Sequence, residues 1–425
     1  MPLNIPDSDA TRVVIIGAGF GGFRLAQKLA SQKMQIVLID KNNYHQFQPL
    51  LYQVAMAGLE PSSISFPLRK SFQSKANLFV RVAEVNSVDL ENKKIETEQG
   101  NIYFDKLVIA TGAKTNFFNN AEFEENTIPM KSVSESLYLR NKIFEDLESA
   151  ITSNSAAEIS KFMDIVIVGG GPTGVELAGA LAEMKMHILH KDYPDLNSKN
   201  MNIYLIEGKD RLLAGMSEQS SEKTKVALEK LGVKLLLNAR VQNIQSGRVI
   251  LSDGQILKTG KVIWAAGVTG AIVHGISQEY ISRDGRLLTD DYCRIKGHSD
   301  VFAIGDVARM ETTEYPNGHP QMAPAAMQQA SWLGKYLMGK TQKPFKFTDK
   351  GQMATIGRNK AVAEFAGLKL SGFMAWLIWL MVHIYYLIGV KNKLFVLLNW
   401  IWSYLFYDQN LRLIIRPKFQ GNTIK

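Results

Sequence analysis

Two glycine clusters stand where a strand pattern gives way to a helix pattern. The first holds Gly17, Gly19, Gly21 and Gly22, and the second Gly169, Gly171 and Gly174 with Pro172 and Thr173 between them. Glycines spaced G-x-G-x-x-G let the backbone turn sharply, come close to a pyrophosphate and offer it the free N–H groups of a helix start. Each cluster is followed by an acid at the end of the next strand pattern, Asp40 and Glu207. Such acids accept hydrogen bonds from ribose hydroxyls. A carboxylate at Glu207 repels a 2′-phosphate and so favours NADH over NADPH, with Lys209 and Arg211 pulling slightly the other way. An ordinary solvated strand end is the competing account of Glu207.

Two dinucleotides and one cysteine, Cys293, limit the redox chemistry. Dithiol exchange, a disulfide scaffold and cysteine-ligated metal centres each need at least a pair of thiols. What remains is a flavin in one unit, a nicotinamide in the other, and direct hydride transfer between them. A short apolar run ends in Gly305 and Asp306, and a helix pattern starts near Ala323. Asp306 suits the ribityl chain of a flavin, and the helix start favours an anionic reduced ring. A plain turn residue is the alternative for Asp306.

The elements that position these groups read twice as strand, glycine loop, helix, strand. The first copy takes residues 12–16 and 35–39 as strands, and the second takes 164–168 and 202–206. Each closes on a further buried strand and a glycine, through Ala110, Thr111 and Gly112 in the first and Ala266 and Gly267 in the second. The opening-to-closing distances nearly match, which argues for an internal duplication. Between the copies, Ser132 and Glu135 form a capping-box pattern that starts a helix over residues 132–151. Residues 300–306 and the helix from Ala323, stopped by Gly339, are expected to return to the first domain.

These motifs, together with the stretch from Asn43 through Gln48 to Gln53 and the pair Gln328 and Gln329, resemble the type II NADH:quinone oxidoreductases over nearly the whole chain. The resemblance implies an α/β fold of two Rossmann-like dinucleotide-binding domains, glutathione-reductase-like, plus a C-terminal helical segment on a membrane surface. Residues 11–119 and 283–345 would bind FAD, 120–282 would bind NADH, and 346–425 would anchor. The expected cofactor contacts comprise both glycine loops with Phe20, the acids Asp40 and Glu207, Lys41, Gln48, Val85, Ala110, Thr111, Gly112, Ala266, Gly267, Asp306 and Ala323. The resemblance puts Glu176 where nicotinamide, flavin and quinone meet, and puts Gln48, Gln328 and Gln329 at the quinone. A first-turn acid serving the helix dipole is the other account of Glu176, and helix capping is the other account of the glutamines. The family's Ala-Gln-x-Ala-x-Gln pattern reads here with Pro324 in place of its first glutamine.

From Ser371 onward the composition changes. Trp376, Trp379, Trp400 and Trp402 fall here, with Lys391, Lys393, Arg412, Arg416, Lys418 and Lys425 against Asp408 alone. Indole rings beside cations suit anionic lipid headgroups better than nucleic acid. Residues 372–390 are long enough to span a bilayer, but Lys391 and Lys393 would then emerge on the wrong side. The line Asn392, Asn399, Ser403 and Asn410 opposite an apolar face predicts a helix lying in the interface, with an apolar dimer contact as the competing account.

The whole chain has 425 residues, 46% hydrophobic and 21% charged, with net charge +9. Such a chain holds two or three packed domains, and a mean hydropathy of −0.06 excludes a polytopic transporter. The N-terminus lacks a signal-peptide pattern, so the catalytic part is expected in the cytosol, on the inner membrane's cytoplasmic face. His187 and His190 share a helix face without further ligands, so no metal site is expected. The expected partners are NADH, a membrane quinone, an anionic lipid surface and a second copy in a homodimer, with no nucleic acid. A sulfur relay of the sulfide:quinone type lacks its paired cysteines. The alternative function is a flavin- and NADH-dependent sensor or assembly protein resembling apoptosis-inducing factor.

Overall fold

Arg12–Ile16 is β-branched after its first residue and forms a strand whose last four residues are buried. Such a run belongs in a parallel sheet covered on both faces. The computed structural model describes residues 3–245, 247–406 and 411–415. It divides into two compact units: Met1–Gln46, Ser65–Lys114 and Val268–Lys350 form the first, and Phe47–Ile64, Thr115–Gly267 and Gly351–Lys425 the second.

In the first unit, Arg12–Ile16 is the central strand of a five-stranded parallel sheet. Gln35–Asp40 and Leu78–Val82 lie to one side, and Lys106–Ile109 and Val301–Ala303 to the other. The expected return of residues 300–306 to this sheet is thus met, with Val301 opposite Leu107. In the second unit Ile165–Val168 takes the same central place. Ile203–Ile206 and Val233–Leu236 flank it on one side, Lys261–Trp264 and Ile128–Pro129 on the other. In both sheets the strand order reverses beside the central strand, which opens a crevice at the strands' carboxyl ends.

Each sheet is covered by a small antiparallel sheet inserted at the same point of the repeat. Val85–Asp89, Lys94–Thr97 and Gly100–Tyr103 bring Val88, Ile95 and Ile102 against Val14, Ile16 and Val37. Val241–Gln245, Arg248–Leu251 and Ile256–Lys258 bring Ile244, Val249 and Leu257 against Val166 and Ile206. The duplication inferred from the spacing is therefore a duplication of topology.

The expected linking helix runs over Val133–Thr152, and both halves of the Ser132/Glu135 capping box form. It buries Asp146, which pairs with Lys261 at 2.8 Å where both side chains are almost fully enclosed. The Phe162 carbonyl takes a further Lys261 proton, and a buried pair needs such extra bonds to offset its desolvation.

Gln352–Gly357, Lys360–Phe365 and Leu368–Ser371 form an antiparallel sheet that the sequence reading did not foresee. The helix Phe373–Tyr386 packs on it through Ala375 and Trp376. The chain then breaks at Gly389, which has a φ of +85°, and continues as the helix Val390–Phe406. No helix among the described residues is long and apolar enough to cross a membrane. Asp408, Asn410, Arg416, Lys418 and Lys425 lie outside the described residues.

Candidate active site

The two glycine loops make matching contacts at their first and last glycines. In the first unit Gly17 N–H donates to the Ile39 carbonyl at 2.8 Å, and in the second Gly169 N–H donates to that of Ile206 at 2.8 Å. A Cβ on Gly22 would lie 1.8 Å from the Gly17 carbonyl oxygen, and one on Gly174 would lie 1.9 Å from that of Gly169. No side chain fits there, so helix and strand touch through glycine alone. Gly19 and Gly171 differ, since a Cβ on either would meet nothing within 4 Å. Each loop therefore leaves open space in front of a helix start.

Asp40 and Glu207 share a role that residue type alone did not disclose. Asp40 accepts from Ala18 N–H at 2.6 Å and from Asn42 N–H at 2.7 Å. Glu207 accepts from Gly170 N–H at 2.6 Å and from Lys209 N–H at 2.9 Å. Each acid clasps its own glycine loop, and carboxylate oxygens keep further lone pairs for a ribose. Burial raises the Asp40 carboxyl above its usual range against the pull of these N–H groups and Lys41.

The helices Phe20–Leu29, Pro172–His187 and Ala323–Leu337 start without a side-chain cap. By contrast Asn120, Ser132 and Ser217 cap their helices with side-chain oxygens. Uncapped starts behind open space suit phosphate, so the residues present in each unit fit a dinucleotide.

In the first unit Gly21 packs towards Ile304 and Ala326, and Ala110 lies against Gly17, so both glycine loop and Ala323 helix belong to one constellation. Val85 packs on that unit's core. Lys41 is exposed. Thr111 Oγ1 donates to the Ala271 carbonyl at 2.6 Å, and the Gly112 carbonyl accepts from Ala271 N–H. The carbonyl of Asp306 accepts from Gln321 at 2.8 Å. Gln329 is 2% exposed and accepts from Gly305 N–H at 2.7 Å, which fixes the turn that carries Asp306. Gln328 bonds both the carbonyl and the N–H of Thr348, at 2.9 and 3.0 Å. In this arrangement both glutamines serve the backbone of the first unit. His45, absent from the sequence-based set, donates from Nδ1 to the Ala18 carbonyl at 2.8 Å between the rings of Phe20 and Phe23. Burial lowers its pKa to about 4, so it stays neutral beneath the loop.

In the second unit Ala266 packs beside the core, and the Gly267 carbonyl accepts from Asn116 N–H. Gln48 is half-buried at the start of the short helical turn Gln48–Leu50. Glu176 lines a cleft of about 130 Å³. One wall is the helix Pro172–His187, another the strand Gln352–Gly357, and the C-terminal helices supply Trp376, Trp379, Trp400 and Tyr404. Helix and strand come this close because residue 179 is glycine, where a Cβ would sit 2.1 Å from the Ile356 carbonyl oxygen.

That approach brings Thr355 N–H to Glu176 Oε1 at 3.4 Å. Burial pushes the Glu176 carboxyl up to about 8 and outweighs both this N–H and the nearby Trp379 indole. The indole N–H favours the carboxylate without meeting the geometry of a full hydrogen bond. Glu176 as a residue is half-buried and borders the cleft.

A polar chain runs away from Glu176. Trp400 Nε1 can only donate, and it meets Gln53 Oε1 at 2.7 Å. The Gln53 amide is thereby oriented, and its Nε2 donates to Tyr52 Oη at 2.9 Å. The Tyr52 hydroxyl also shares a hydrogen bond with Thr355 Oγ1 at 3.1 Å. Burial, with the Glu176 charge behind it, raises the Tyr52 pKa and keeps its proton in place. His383 stacks on Trp379 at 3.8 Å and donates from Nδ1 to the Trp379 carbonyl. The signal for these residues was present in the aromatic content of the tail and in the stretch ending at Gln53, but not their pairing.

The last helix reverses the usual amphipathic arrangement. Asn392, Asn399 and Ser403 are half-buried, whereas Leu394, Leu398, Ile401, Trp402 and Leu405 are exposed. Asn392 reaches the Ser62 carbonyl at 3.2 Å. Arg412, expected at lipid headgroups, pairs with Asp192 at 2.7 Å.

Residues 11–330 match the pyridine nucleotide-disulphide oxidoreductase family, and residues 350–407 match the NDH2 C-terminal domain. The chain is 34% identical to the type II NADH:quinone oxidoreductase Ndh of Mycobacterium tuberculosis, over 93% of this chain and 88% of that one. NDH2 from Plasmodium falciparum, solved in complex with NADH, shares the fold with a TM-score of 0.87 at 22% identity, covering 96% of this chain and all of that one. The sulfide:quinone oxidoreductase of Aquifex aeolicus shares it at a TM-score of 0.71 and 20% identity, over 90% of this chain and 92% of that one. The fold and the paired glycine loops define a two-nucleotide flavoprotein oxidoreductase. Within that class the chain belongs to the type II NADH:quinone oxidoreductases.

Proposed function

We propose that the chain transfers two electrons from NADH to a membrane quinone, with FAD as cofactor and without pumping protons. The observation that carries this reading is the cleft at Glu176, which the C-terminal extension walls with Trp376, Trp379 and Trp400 beside a nucleotide-binding helix. Bound FAD supplies the two-electron exchange between nicotinamide and quinone. The first unit holds it through Asp40, the open space at Gly19 and the uncapped helix starts at Phe20 and Ala323. The second unit holds NADH at residues 169–174, with Glu207 selecting against a 2′-phosphate. Glu176, poised near neutrality by burial, is suited to hold or release a proton in the cleft. Gln48, Gln328 and Gln329 keep their family-implied place at the quinone only if the two amides in the first unit exchange their present backbone partners.

The C-terminal helix is read as a monotopic anchor on the cytoplasmic side of the inner membrane. Its outward apolar row and the exposed Lys391 support contact with anionic lipid. The same row offers a surface to a second copy, so a homodimer belongs to the reading, checked by light scattering in detergent. No observation favours the sensor alternative. Anaerobic stopped-flow tests the function: flavin absorbance is expected to bleach with NADH and to return with a short-chain quinone. Bleaching with no return would reject quinone as the acceptor.

A further inference from the structure

The helix Pro172–His187 turns Glu176, Ala180, Glu183 and His187 into one cleft. Steps of four, three and four residues keep them on a single helix face. The opposite faces carry Leu177, Ala178, Leu181 and Ala182, all fully buried. At 1.5 Å per residue, Glu183 lies about 10 Å along the axis from Glu176, and His187 about 6 Å further. A cleft of about 130 Å³ has room for several waters between them. Neither Glu183 nor His187 belongs to the glycine loops or to the acids that clasp them.

The reaction leaves a proton to account for. NADH gives up a hydride, which is two electrons and one proton, while a quinone becomes a quinol by taking two electrons and two protons. The balance NADH + H⁺ + Q → NAD⁺ + QH₂ draws one proton from water in each turnover. We propose that this proton enters at His187, passes to Glu183, and travels through water in the cleft to Glu176, which delivers it to the quinone. The inference rests on the quinone-reducing reading above. At each transfer one N–H or O–H bond breaks as the next O–H bond forms, and each carrier regains its starting charge when His187 takes up another solvent proton.

The surroundings of each carrier suit exchange. Burial raises the Glu183 carboxyl above its usual range, and Arg358 and Lys360 on the facing strand and turn draw it back. The Arg358 N–H donates to Glu183 Oε1, and its guanidinium is held by the Ser403 and Tyr404 carbonyls. Tyr52 faces both acids and keeps its own proton. Burial lowers the His187 imidazole, and the cations Arg358 and Lys191, with His190, lower it further. A proton on His187 is therefore readily passed on.

The variant Glu183→Gln keeps an acceptor for the Arg358 N–H but cannot titrate. The expected result is NADH:quinone turnover reduced by about tenfold or more, with NADH:ferricyanide turnover unchanged, because ferricyanide takes electrons without protons. Added formate or azide, as small proton carriers, should restore part of the quinone rate. His187→Asn should show the same split, with imidazole as the rescuing agent. Quinone turnover equal to wild type would overturn the proposal. So would quinone and ferricyanide rates falling together without rescue, since that marks a purely structural role. A wild-type protein that bleaches with NADH but never reduces quinone would reject the functional reading itself, and this inference with it.

Discussion

Trp400 Nε1 donates to Gln53 Oε1 at 2.7 Å, a bond between the C-terminal helix and a short helix far earlier in the chain. Because the indole orients the amide, Gln53 Nε2 faces the Tyr52 hydroxyl, which in turn meets that of Thr355. Gln53→Leu should leave Tyr52 and Trp400 short of partners and cost about 1–3 kcal/mol. A lower denaturant midpoint with an unchanged slope checks this, and no change in midpoint would remove the network's stabilising role.

Glu176 has its folded pKa raised from 4.5 to about 8. For an acid shifted upward, the folded state binds the extra proton, so the associated stability is full below pH 4.5 and is lost as pH rises towards 8. Glu176→Gln should therefore resist denaturant better than wild type at pH 9 and match it more closely at pH 5. In turnover, wild type should show an inflection near pH 8 that the variant lacks.

Gly22 and Gly174 occupy equivalent contacts in separate units, each with no space for a Cβ. Gly22→Ala should yield protein that is colourless or loses flavin on dilution. Gly174→Ala should stay yellow but bleach with NADH only at concentrations raised by tenfold or more, on the order of the penalty for a lost close approach. A Gly174→Ala protein with unchanged NADH affinity would contradict the assignment of that loop.

Glu207→Ala removes the clasp on Gly170 and Lys209 and, with it, the acceptor proposed for the ribose. The ratio of kcat/KM for NADH over NADPH should fall by about tenfold, roughly one hydrogen bond to a charged group. Because the loop loosens as well, KM for NADH should rise in the same variant. Steady-state rates with both coenzymes read out each effect.

Leu398 and Trp402 are about half exposed on the last helix, 52% and 50%, and neither lines the Glu176 cleft. The double substitution Leu398→Glu and Trp402→Glu should reduce flotation with anionic vesicles while ferricyanide turnover persists. Undiminished flotation would place the lipid contact elsewhere.

Much of the fold was legible in the sequence for physical reasons that act locally. The strands Arg12–Ile16 and Ile165–Val168 follow from β-branched runs over 13–16 and 165–168, and the loops after them from glycines that only a tight strand–helix contact requires. The Ser132/Glu135 box announced its helix because capping depends on residues three apart. By contrast, the small sheet of Gln352–Gly357, Lys360–Phe365 and Leu368–Ser371 was missed. Its pattern of burial is set by the helix it packs against, and no short-range signal marks that partner. Gln328 and Gln329 resemble the ligand residues of a motif, and the backbone bonds that both amides make are not written in it, since an amide serves a backbone as readily as a head group. The pairing of Trp400 with Gln53 and of Glu183 with Arg358 joins distant positions, and spacing along the chain carries no trace of it.

The contact between Gly179 and the Ile356 carbonyl has an effect on how the enzyme can be handled. The strand it admits delivers Thr355 to one acid and Arg358 to another, so the appendage proposed to meet the bilayer is also a wall of the Glu176 cleft. Trimming that appendage to obtain a detergent-free protein would open the chamber to bulk water and strip its aromatic lining. A tractable soluble form has to be sought by repainting the outer row of the last helix, never by cutting it away.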